Sequence, residues 1–174
     1  LYPPSVMAPA YLAHLLAQNE VVAELTGFVQ KRHETGDEIS SGPVRQHASA
    51  QFGERRVVTN TASAFLRTLQ HFGVLADAKG VGHYRYVSNL SVGCEVFPLL
   101  VWSWWQKHLA PQIPLEEFAE DPAFAFLEKD NFGACWEAYG SELWSIEERI
   151  EGRRAVLRHA DAPGFAAALI GRLL

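Results

Sequence analysis

Hydrophobic positions recur at helical spacing along most of the chain. Met7 to Gln18 carries Leu12, Leu15 and Leu16 on one apolar face, and Asn19 to Lys31 repeats the pattern with Val22, Leu25, Phe28 and Val29. The charged run Arg32–Glu38 contains Gly36 and reads as a loop; Glu38 to Ser41 reads as a short strand. Ser40 or Ser41 as a cap, Pro43 near the first turn and Gly53 at the end bracket another helix. The link Glu54–Val58 reads as longer than a tight turn. Placed on a helix, Val58, Ala62, Phe65, Leu66, Leu69 and Phe72 fall within about 120° of one another. Val74 and Leu75 then start a strand, Gly80 and Gly82 supply a turn, and His83 to Val87 form the return strand.

Beyond Ser88 the pattern changes. Val92–Leu109 predicts a Trp-rich helix, Pro114–Ala160 several helices divided by Pro and Gly, and the last residues a helix capped near Asp161. Within that stretch Glu147, Glu148 and Glu151 alternate with Arg149, Arg153 and Arg154, the pattern of a solvated helix. The expectation is a mainly α protein. Residues 1–88 form one region with a small β-hairpin, and 89–174 form an all-helical region packing on it.

Trp102, Trp104 and Trp105 cannot all face inward from one helix. Trp102 and Trp105 share a face at i,i+3, and Trp104 points elsewhere. They are candidate interface residues, at least one meeting another subunit or another helix layer, with core packing as the alternative.

Composition narrows the function classes. A chain of 174 residues at 48% hydrophobic content builds one large core or two small ones. The most apolar run, Val96–Trp105, falls short of the roughly 18 residues that span a bilayer and contains Pro98. No basic stretch precedes an apolar run at the start, so neither a secretory signal nor a membrane partner is expected, and the cytoplasm is the expected location. Cys94 and Cys135 lie outside any CxxC pattern, which argues against zinc. A single disulfide is one option; two buried thiols in a reducing compartment is the expected state. His14, His33, His47, His71, His83, His108 and His159 lack metal-ligand spacing. No metal, cofactor or catalytic pair is expected, and the chain reads as a non-enzyme.

The net charge of −5 is unevenly spread. Residues 31–88 carry eight Lys/Arg against five Asp/Glu, whereas residues 89–174 carry seven against thirteen. The helix opposite the Val58–Phe72 stripe exposes Arg56, Asn60, Ser63, Ala64, Arg67 and His71, with no acid among them. An ordinary solvated helix mixes acids with bases. Here the outer face offers what a duplex needs: Arg forks onto guanine or phosphate, Asn bonds adenine through two contacts, and small residues permit close approach. Thr59 or Asn60 is placed to cap the helix. Arg55 sits ahead of it, where phosphates are expected. Lys79, His83 and Arg85 in the hairpin, and Arg45 and His47 on the preceding helix, complete the candidate DNA-binding set.

Helix, short strand, helix, helix, hairpin over about residues 20–88 resembles the winged helix-turn-helix family. The most specific elements are "LQHFGVL" (Leu69–Leu75), with its hydrophobe-Gly-hydrophobe step, and the wing ending in "HYRYV" (His83–Val87). The resemblance implies a winged-helix module with a helical C-terminal extension. It implies a partner in double-stranded DNA and a role as a transcriptional regulator or as a DNA-recruiting subunit of a larger prokaryotic-type system. A homodimer would double the contact footprint. The alternative is a protein-interaction scaffold or adaptor using the same fold without DNA.

Overall fold

The computed structural model describes residues 3–110, 112–140 and 142–173. The protein is mainly α, with two small three-stranded antiparallel sheets, and it divides into two compact units. One unit contains residues up to Ser91 together with Pro122–Glu128; the other contains Val92–Asp121 and the residues from Lys129 onward. Among the described residues no helix is long and apolar enough to cross a membrane.

The first unit opens with α1 (Pro4–Ala17) and α2 (Glu20–Gln30). Asn19 starts α2 by accepting hydrogen bonds from the Val21 and Val22 amides at 2.9 and 3.3 Å, which satisfies two of the unpaired donors every helix N-terminus leaves. Then follow β1 (Glu38–Ser40), α3 (Ser41–Phe52), α4 (Arg56–His71), β2 (Leu75–Asp77) and β3 (His83–Tyr86), in a sheet of order β1-β3-β2. Leu12, Leu16, Leu25, Val29, Ile39, Val44, Ala48, Val58, Ala62, Leu66 and Leu69 form the core. Gly73, at φ 80°, lets the chain leave α4 and enter β2.

Three expectations change here. The link between α3 and α4 is only Gly53-Glu54-Arg55, because Arg56, Val57 and Val58 already form the first turn of α4. Val58 is buried, so its anchoring draws the helix start forward. Neither Thr59 nor Asn60 caps that helix: Arg55 occupies the cap position, and the Thr59 hydroxyl donates to the Arg56 carbonyl at 3.0 Å within the helix. Leu15 does not join Leu12 and Leu16 in the core but is 47% exposed.

The second segment of this unit arrives from far along the chain. Leu90 donates to the Phe126 carbonyl at 2.9 Å and the Glu128 amide returns a bond to the Leu90 carbonyl at 2.8 Å. The pair forms a parallel bridge that seats Phe126, fully buried, beside Phe65 of α4 and Tyr86 of β3. Gln30 reinforces the seat by donating to the Ala125 carbonyl and to the Tyr86 hydroxyl. Burial pushes the Tyr86 phenol up from its ordinary pKa, and the Gln30 bond partly offsets this.

The second unit contains α5 (Phe97–His108), β4 (Ile113–Pro114), α6 (Leu115–Glu120), α7 (Phe132–Ala138), β5 (Trp144–Arg149), β6 (Gly152–Leu157) and α8 (Ala162–Leu173). It is not all-helical. Glu147–Arg154, expected on a solvated helix, lies in a hairpin where Glu147 pairs in register with Arg154 and Glu148 with Arg153, in a sheet of order β4-β6-β5. Alternating charges suit facing positions on two strands as well as positions four apart on a helix, so charge spacing alone does not separate the two; the ion pairs formed are Arg149–Glu147, Arg153–Glu137 and Arg154–Glu151. Trp144, fully buried at the start of β5, and Ala155 on β6 decide it. The core is a network of rings: Phe97 meets Phe118, Phe132 and Trp136 edge-on at 5.6, 5.1 and 5.0 Å, and Trp144 donates to the Trp136 carbonyl. Cys94 and Cys135, expected as thiols, form a disulfide across Cα atoms 4.8 Å apart, a separation that suits the bond.

Candidate nucleic-acid interface

The 3.6-residue period of α4 puts Val58, Ala62, Phe65, Leu66 and Leu69 inward and leaves Arg56, Asn60, Ala64, Arg67 and His71 exposed, with Ser63 half-buried among them. The helix contains no acid. Arg56 and Arg67 make no ion pair among the described residues, whereas in the second unit Arg149, Arg153 and Arg154 each pair with a glutamate. The Ser63 hydroxyl donates to the Thr59 carbonyl at 3.0 Å, which leaves its oxygen as an acceptor. Gln70, on the edge of this face, is committed to Asp77 of β2 at 2.8 Å.

Two open concavities flank α4. One, of about 780 Å³, is walled by Asn60, Ala64, Arg67 and His71 on one side and by Leu15 of α1 on the other. The second, of about 600 Å³, lies at the α3–α4 corner between Arg45, Gln46 and Ser49 of α3, Glu54 of the turn and Thr59 of α4. Leu15, Gln46 and Ser49 had no place in the sequence-based set. Gln46 and Ser49 were legible as part of an acid-free outer face on α3; Leu15 was hidden by the apolar pattern of its own helix.

The remaining candidates are spread around this surface. Arg55 donates to the Phe52 carbonyl at 3.1 Å and so closes the end of α3, and Arg45 reaches the Ser41 hydroxyl at 3.4 Å. Lys79 is exposed in the turn between β2 and β3, and Arg85 is exposed on β3; neither forms an ion pair among the described residues. His83 is turned toward β1, where its Nδ1 meets a Glu38 carboxylate oxygen at 2.9 Å and the Ser40 hydroxyl at 3.1 Å. His47 is likewise occupied, held by Glu24 at 2.8 Å and stacked on Phe28. These two histidines tie elements together within the unit.

The three neighbouring tryptophans separate. Trp104 is core, 5% exposed and stacked on His108. Trp102 stacks on Phe165 of α8 at 4.7 Å, so the layer it meets is a helix of its own unit, and Trp105 is half-buried beside it. Among the described residues no three His, Cys, Asp or Glu side chains gather to hold a metal ion. Asp121 accepts from His108 at 3.0 Å and Lys107 at 3.4 Å at the end of α5, which neutralises a buried carboxylate. The chain matches no protein-family model, no curated protein and no solved structure.

Proposed function

We propose that residues 20–88 act as a winged helix-turn-helix module that binds duplex DNA through α4, and that the protein serves as a transcriptional regulator or as a DNA-recruiting subunit of a larger prokaryotic-type assembly. The observation that carries this reading is the outer face of α4: two arginines without ion pairs among the described residues, an asparagine and small residues, on a helix free of carboxylates. A three-residue turn after α3 and a hairpin after α4 support it, because that is the order of elements such a module requires. Arg67 and Asn60 are assigned to base edges, and Arg56, Arg45 and Lys79 to phosphates. On this reading the chain positions DNA and performs no covalent chemistry on it.

The test is fluorescence anisotropy of the full chain with random duplex over a salt series. Affinity that falls with salt and drops in Arg56→Ala and Arg67→Ala supports the reading. Absence of binding at low salt, with the variants indistinguishable from the parent chain, sinks it and leaves the scaffold reading. A cytoplasmic location and the Cys94–Cys135 disulfide pull in opposite directions; counting free thiols in rapidly quenched cells decides between them.

A further inference from the structure

Leu15 belongs to α1, before the stretch assigned to the DNA-binding module, yet it walls the same concavity as Asn60, Ala64 and Arg67. A single exposed leucine needs no explanation. Its company is the point. The opposite wall supplies hydrogen-bond donors and a guanidinium, and among the described residues no carboxylate lines the groove.

Of the four bases, thymine alone presents a methyl group in the major groove, and its partner adenine presents the N7 acceptor and N6 donor that an asparagine amide reads through two bonds. Asn60 and Ala64 are four residues apart and stand one above the other on α4. The groove therefore sets an amide suited to adenine beside an apolar wall suited to a methyl. Arg67 on the same face suits guanine O6 and N7, while the lining has no carboxylate to accept from the cytosine amine.

We propose that Leu15 and Ala64 form a thymine-methyl pocket on the DNA-reading face, so that α1 takes part in sequence selection at an A·T step read by Asn60. The inference rests on the reading of α4 as the DNA-contacting helix.

The experiment starts from duplexes enriched by the full chain from a random pool. Each thymine of the winner is replaced in turn by deoxyuridine, which deletes only the methyl, and anisotropy is measured for the parent chain and for Leu15→Ala. One or two positions should lose about fourfold in affinity on replacement, the value of one buried methyl. Leu15→Ala should bind the thymine and uracil duplexes alike at those positions, with an unchanged thermal melt. A pool that binds without enriching, a winner insensitive at every thymine, or a uracil penalty that persists undiminished in Leu15→Ala overturns the pocket while the DNA-binding reading stands. No binding to any duplex at low salt removes both.

Discussion

Mostly aliphatic side chains from α1, α2, α3 and α4 close the first unit, and its sheet adds Ile39, Leu75 and Tyr86 to that core with Tyr84 packed against it. The second unit includes two very short helices, α6 of six residues and α7 of seven, and is held by stacked and edge-on rings, a disulfide and a hairpin. Helices that short are not stable alone, because nucleation costs more than a turn or two returns. They hold their shape by tertiary contact. The two units thus differ in where the information lies: in local periodicity in the first, in distant contacts in the second.

The sharpest way to break that contrast is at its one exception. Phe126 comes from a distant segment but fills the aliphatic core. Phe126→Ala should destabilise the first unit by about 3–5 kcal/mol. All five tryptophans lie in the second unit, so urea unfolding followed by indole fluorescence should keep its midpoint while far-ultraviolet circular dichroism gains an earlier transition. Coincident shifts of both signals would show that the units unfold as one.

The next largest effect is expected from the disulfide. Replacing Cys94 and Cys135 together by alanine should lower the fluorescence-detected transition by about 2–4 kcal/mol, with DNA affinity measured by anisotropy left unchanged. Arg67→Ala should cost about 1–3 kcal/mol in duplex affinity with its thermal melt unmoved, since the side chain is exposed. Arg56→Ala should shift affinity evenly across sequences and reduce the salt slope by about one.

The smallest expected effect is the alkaline one. The Tyr86 pKa is raised in the folded state by burial, so the unfolded phenol ionises first. The folded state then binds more protons than the unfolded state, and stability falls as pH rises above the ordinary tyrosine value, until the folded pKa is passed. Tyr86→Phe should flatten urea midpoints over that window.

Legibility followed the same division. Asn19, Gly53, Gly73 and the Val58–Leu69 stripe are local signals, and each marks an element where the structure has one. The strand Glu38–Ser40 and the hairpin were readable for the same reason. The Glu147–Arg154 hairpin was not, because its alternating charges fit two periods and the deciding contact, Trp144 on Trp136, is tertiary. The disulfide spans 41 residues and leaves no local mark. Within the candidate site, the outer face of α4 was readable residue by residue. The position of Leu15 was not, since an apolar pattern says which residues are hydrophobic and not which of them a neighbouring helix covers.

The ring of Phe126 under Phe65 also bears on heredity. A stretch of gene ending near Ser91 encodes the whole exposed face of α4 but not the side chain that fills the space behind it. A recipient of that stretch alone would inherit the face without the ring that packs behind it. Substitutions that change volume at Phe65 should be tolerated in descendants only alongside compensating changes at Phe126, sixty-one positions away in the chain and 6.3 Å away in space.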